Sequence, residues 1–128
     1  MAGNMSNYLE NKVLEHSLGV ASFTMPSAVY VGLFTTDPTD IGSGNEVSGA
    51  GYTRKQATFG VASGSISNNS DILFDTAQVN YGTISHIAIF DSLTAGNLLW
   101  HGQLTASKIV MQNDQFKIAS GQITDSFD

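Results

Sequence analysis

Three histidines, His16, His86 and His101, and the carboxylates Asp37, Asp40, Asp71, Asp75 and Asp91 carry the chemistry needed for metal binding or proton transfer. A zinc site built from three histidines needs them to converge, and sequence-close ligand pairs on one helix or hairpin announce it. No His-x-His or His-x-x-x-His pair occurs. His86 and His101 are expected near each other on one hairpin and His16 on another element, so each is read as serving a polar contact inside or beside the core. The aspartates fall in turns or at the ends of β-like runs, where Asp recurs for backbone reasons. None stands in the DxDxDG spacing of a calcium loop, and nothing sets one carboxyl apart as a general acid. Ser63-Gly64 lacks the Gly-x-Ser-x-Gly frame of a nucleophile elbow. A small hydrolase is therefore the alternative to be excluded, not the expectation.

The passage Gly42–Gly51, GSGNEVSGAG, invites a phosphate-loop reading and does not support one. Such a loop needs a strand before it, a helix after it and, for nucleotides, a lysine. Here a β-like run follows and lysine is absent, so the passage reads as a flexible or tightly turned surface loop. Tyr30, Tyr52, Tyr81 and Trp100 would suit a sugar platform, but Trp100 sits in an apolar alternation with Leu98 and Leu104 and reads as core. Asn4-Met5-Ser6 and Asn68-Asn69-Ser70 match the glycosylation triplet, which carries no weight without a secretory signal.

The elements that would position these residues are mostly strands. Residues 7–18 read as a short helix, with Asn7 and Glu10 as cap and reach-back partner and Gly19 ending it. Leu9, Val13, Leu14 and Leu18 form its apolar stripe; at about three turns it needs a surface to lie on. Ala28–Phe34, AVYVGLF, is apolar on both faces, as in a strand covered on two sides, and Asp37-Pro38 stops it. Tyr52–Val61 alternates, with Tyr52, Arg54, Gln56 and Thr58 on a polar, wet or partner-facing side. Asp71–Phe74 follows, then Tyr81–Phe90 with Leu98–Leu104 as its hairpin partner. Ile109–Met111 and Phe116–Ala119, joined at Asn113-Asp114, suggest another hairpin, and Ile123–Phe127 a final edge strand. Seven or eight short strands at roughly ten-residue spacing predict an antiparallel β-sandwich, jelly-roll-like in one form, with one N-terminal helix. Residues 1–128 read as a single domain.

Only 12% of residues are charged, and 11 acidic against 5 basic residues leave a formal charge of −6. Nucleic acid and anionic membrane surfaces are poor partners for such a chain, because both demand clustered Lys and Arg. Ser, Thr, Asn and Gly fill the gap, which suits hydroxyl-rich β surfaces that press against neighbours. Cysteine is absent, which removes disulfides and thiol chemistry. The first residues do not read as a signal peptide and no run approaches a membrane span, so synthesis in the cytoplasm is expected.

Four stretches, in order, are SNYLENKVLEHSLG, MPSAVYVGLFTTDPT, GNEVSGAGYTRKQATFG and the GTISHIAIFD…GNLLWHGQL hairpin. In that order they resemble a family of small bacteriophage virion proteins, regarded as tail-fibre-like or capsid-decorating structural proteins. VYVGLFTTDP together with EVSGAGYTR carries the specificity. The resemblance implies a virion location, no cofactor and no catalytic residues.

A fibre shaft needs long repetitive sequence, and no repeat occurs here. The expectation is a non-enzymatic capsid-decorating (cement) protein, a homo-oligomer that clamps other virion proteins through a flexible loop and a polar β surface. A tail or fibre-associated adaptor or receptor-binding module, with a host glycan as partner, is the alternative. The expected partner-facing residues are Gly42, Gly44, Asn45, Glu46, Gly49, Gly51, Tyr52, Arg54 and Gln56, together with the tail Met1–Ser6.

Overall fold

The computed structural model of the chain describes residues 3–126. In order, its elements are β1 (Asn4–Met5), α1 (Asn7–Ser17), β2 (Val29–Phe34), β3 (Lys55–Ala57), β4 (Ser65–Ser67), β5 (Ile72–Leu73), β6 (Gly82–Phe90), β7 (Leu98–Val110), β8 (Lys117–Ile118) and β9 (Thr124–Ser126). Five strands form one sheet in the order β1-β7-β6-β2-β3, and two ribbons, β4-β9 and β5-β8, make up the rest. Every pairing is antiparallel. The chain is thus mostly β, with one helix near its N-terminus.

The two-faced apolar pattern of β2 explains its place in the sheet. Val31 and Leu33 pair with Ile89 and Ile87 of β6 and face the main core. Ile72, Phe74, Ile118 and Ile123 complete that core from the ribbon side, so sheet and ribbons form two layers. Burying each of these side chains contributes about 1.5–3 kcal/mol. Phe74 is the largest fully buried side chain; it meets Phe116 edge-on at 5.9 Å and stacks under Tyr52 at 6.4 Å. On the opposite face of the sheet, Phe34, Ala88, Phe90 and Leu98 form a second, smaller cluster.

Two irregularities shape β7. Ile89 pairs with Trp100 and Phe90 with Leu98, leaving Leu99 unopposed. That bulge sends Leu98 to the small cluster and turns Trp100 to the main core, so the two do not share a face as strict alternation predicts. Further on, Ile84 pairs with Lys108 and His86 with Gln103, so Leu104–Ser107 loops out opposite the single residue Ser85.

Other boundaries also moved. Helix α1 is capped by Ser6, not Asn7: the Ser6 hydroxyl accepts from the Leu9 N–H at 3.1 Å and donates to the Leu98 carbonyl. Its C-terminal end closes as expected at Gly19, with Val20 N–H bonding to the Glu15 carbonyl at 2.8 Å and Gly19 N–H to that of His16. The predicted strand Tyr52–Val61 shrinks to Lys55–Ala57, because Arg54 turns inward and Phe59 changes partner to Asn68. The predicted hairpin at 109–119 does not form. Ile109 and Val110 stay on β6, Lys117 and Ile118 pair with β5, and Asn113 instead donates to the Ala77 carbonyl at 2.7 Å. The final strand is Thr124–Ser126, paired with β4; Phe127 lies outside the described residues. Among the described residues no helix is long and apolar enough to cross a membrane.

Candidate partner-binding surface

The glycine-rich passage runs along the free edge of β2. Thr35 N–H donates to the Asn45 carbonyl at 3.0 Å and Val47 N–H to the Leu33 carbonyl at 2.8 Å, so residues 45–47 extend the sheet beyond β3. The turn before them is built by Asp37, whose Oδ1 accepts from Thr39 N–H at 2.8 Å, and by Thr36, whose hydroxyl accepts from Asn45 N–H. Gly44 is required there: at φ +96° a Cβ would sit 2.5 Å from the Asp37 carbonyl oxygen. At the far end Gln78 N–H bonds to the Ala50 carbonyl, and the Tyr81 hydroxyl donates to the same oxygen. The passage is tightly turned and tied at both ends. It is not a free arm.

Glu46, Tyr52 and Arg54 converge behind this loop. Arg54 Nε and Nη2 donate to Glu46 Oε2 and Oε1 at 2.9 and 2.8 Å, a two-pronged pair. Arg54 Nη1 donates to the carbonyls of Ser92 and Ala95 at 3.0 and 2.8 Å, and the guanidinium lies 3.6 Å from the centroid of the Phe90 ring. The Tyr52 hydroxyl donates to Glu46 Oε2 at 2.6 Å and accepts from Leu33 N–H at 3.0 Å. Burial, with the Glu46 carboxylate behind it, holds the Tyr52 phenol far above its ordinary pKa, so it remains a donor. Gly32 makes room, because a Cβ there would stand 2.5 Å from Glu46 Oε2.

This network divides the expected partner-facing residues into two sets. Gly42, Gly44, Asn45 and Gln56 are exposed. Arg54 is 8% exposed and Glu46 24%; with Tyr52 they are spent on holding the loop against the sheet. Gly49 and Gly51 are half-buried against residues 76–81. Of the tail, Met1 and Ala2 lie outside the described residues, while Asn4 and Met5 pair with His101 and Trp100 and Ser6 is buried. The tip of the loop is backbone and small polar groups, held by the hydrogen bonds of the 36–45 turn. Ile41 beside it is exposed, a feature hidden in sequence because a lone isoleucine in a polar run signals neither core nor surface. Between this loop and residues 93–95 lies an open cleft of about 420 Å³.

His101 supplies the second tie. It is buried, with Nε2 2.8 Å from Asp40 Oδ1 and Nδ1 3.8 Å from Asp37 Oδ1, and it anchors the 37–40 turn to β7. His86 shares a hydrogen bond with Ser85 at 2.7 Å, and the exposed His16 accepts from Phe23 N–H. Among the described residues no group of three or more His, Asp or Glu is arranged to hold a metal. Tyr52, Tyr81 and Trp100 pack their rings against the main core.

No curated protein matches the chain. A family model does, over residues 4–126: it is described as Podophage GP4 fiber I protein gp80. That span takes in every strand and the helix among the described residues. The chain belongs to this family of phage virion fibre proteins.

Proposed function

We propose that the chain is a non-enzymatic, fibre-associated module of a phage virion, acting as one domain and docking on neighbouring virion proteins through the tip at Ile41–Asn45 and the exposed side of β3 around Gln56. One observation carries this reading. The charged residues behind the tip are consumed by the fold itself, leaving a surface pre-shaped to meet another protein at little cost in ordering. The family match supports the fibre setting over the shell. Capsid decoration is the second reading, favoured by the low charged fraction of 12% and the hydroxyl-rich surface.

The chain has no cysteine, so Val61→Cys, at a fully exposed position outside the proposed docking tip, gives a single attachment point for a gold cluster. Particles carrying the labelled protein, imaged by electron microscopy, should show gold at the tail fibres. Gold spread over the shell would replace the fibre reading with decoration. A particle that never takes up the protein would remove both. Glycan binding by the isolated chain would identify a receptor-binding form of the fibre module.

A further inference from the structure

Helix α1 leaves the C-terminal half of its apolar row, Leu14 and Leu18, bare. Leu9 is buried, but Leu14 is 57% and Leu18 76% exposed, and Val20 beyond the cap is exposed as well. Glu10, Leu14 and Leu18 stand in one row a turn apart, and Glu15 flanks it. A helix of this length is marginal unless its apolar face is covered.

An open groove of about 660 Å³ lies between the Leu104–Val110 end of β7 and residues 114–123. Phe116, Ile118 and Ile123 line it from the core, and Ile109, 67% exposed, stands on one wall. Lys108 and Lys117 lie on opposite walls, and Asp114 is also in the lining. Lys117 reaches only the exposed Asp71, at 3.4 Å, and Lys108 forms no ion pair among the described residues. A strand added to the open edge of β7 is a poor occupant, because the bulge at Leu104–Ser107 breaks the regular row of donors and acceptors. A short apolar ridge flanked by carboxylates is a good one.

We propose that α1 of one copy seats in the β7–β8 groove of a second copy, Leu14 and Leu18 meeting the apolar lining and Glu10 and Glu15 facing Lys108 and Lys117. Ser6 ties α1 to the Leu98–Leu99 end of β7, and the groove lies at the other end of that strand, so one copy does not fill its own groove. The contact is head-to-tail, and it builds a ring if the rotation closes and a filament if it does not. This assembly rests on the chain's own surfaces and does not depend on where the protein sits on the particle.

The test is sedimentation of the purified chain at low salt from micromolar concentrations up to about 1 mM, the weak end of measurable association. The wild-type mass should rise with concentration, while Leu18→Glu and Ile109→Glu, both at exposed sites and checked for unchanged circular dichroism, should each remain single. Mixing the two variants should restore association, capped at two copies, since each keeps one of the two surfaces. Glu15→Lys should weaken assembly about two- to fivefold and regain it when paired with Lys108→Glu. A wild type that stays single throughout overturns the proposal. So does an Ile109→Glu variant that assembles normally, or two variants that fail to pair when mixed.

Discussion

Arg54 and Glu46 grip each other through two parallel hydrogen bonds of 2.9 and 2.8 Å, and the same guanidinium reaches across to the carbonyls of Ser92 and Ala95. One side chain therefore joins the glycine-rich loop, the 91–97 turn and the Phe90 ring on the sheet. Breaking a buried pair by removing one partner costs about 3–5 kcal/mol, since the remaining charge is stranded. Arg54→Met should accordingly lower the melting temperature by roughly 10 °C or more. Arg54→Lys should rescue little, because an ammonium cannot supply the fork or the flat stack. Thermal unfolding by circular dichroism reads both. A drop of under 2 °C for Arg54→Met, within what roughly 0.5 kcal/mol produces, would show the network to be incidental.

Ser6 does two jobs that Asn7 does not. Its hydroxyl caps the Leu9 N–H and donates to the buried Leu98 carbonyl, so it joins α1 to β7 as well as starting the helix. Ser6→Ala should cost about 2 kcal/mol, the upper end for a cap, because a buried acceptor loses its donor too. Asn7→Ala, at an exposed first helical position, should cost under about 0.5 kcal/mol. Urea titration of the two variants separates them. Equal losses would return the cap to Asn7.

Gly32 tests whether the loop is seated as tightly as its hydrogen bonds imply. A methyl group there would meet Glu46 Oε2 at 2.5 Å and the Tyr52 hydroxyl at 3.2 Å. Gly32→Ala should cost about 1–3 kcal/mol, like other overpacking changes. Combined with Glu46→Ala it should add much less than its cost alone, because the carboxylate it strikes is gone. Full additivity of the two in a denaturation cycle would separate Gly32 from the network.

The parts of this fold that were legible in sequence are those where pattern and packing agree. Ala28–Phe34 announced a strand covered on both faces, and Val31, Leu33 and Phe34 are buried. Tyr81–Phe90 and its return strand carried enough alternation to reveal the central hairpin. Ribbon β4-β9 was half legible: Ile123–Phe127 reads as an edge strand, but Ser65–Ser67 left no trace, and the pairing joins positions 57 to 61 residues apart. Arg54 was misplaced for a related reason. Alternation put it on a wet face, whereas its partners Glu46, Ser92, Ala95 and Phe90 converge only once three separate segments have folded. The Leu99 bulge, which moves Leu98 and Trp100 to opposite faces, has no sequence mark at all. At the candidate surface, the glycines mark a turned passage, but the hydrogen bonds that tie it to Thr35, Leu33 and Gln78 are visible only in the folded chain.

Asp125 gives the chain a pH dependence opposite in sign to that of an ordinary paired carboxylate. It is 4% exposed, it lies in β9 beside Ile87, Ile123 and Trp100, and its Oδ1 meets no donor among the described residues. Burial pushes its pKa up to about 6, against the opposing effect of the Gly3 N–H. Between about 4 and 6 the folded state therefore binds more protons than the unfolded one, and this group's contribution to stability falls as pH rises through that window. The cost of ionised burial at pH 7 is on the order of 2 kcal/mol once partial solvent access is allowed for. Asp71 acts the other way: the Ser120 N–H, then Lys117, holds its pKa below the usual value, so its contribution is lost only as pH falls further, below the Asp125 window. The combined contribution of these two groups should be greatest near pH 4–5. Asp125→Asn should stabilise the protein at pH 7.5 and flatten the slope between pH 4 and 7, with little effect at pH 4. Chemical denaturation of both proteins across that range is the measurement, and a difference between wild type and variant that stays constant from pH 4 to 7 would show that the Asp125 carboxyl ionises freely in the folded chain.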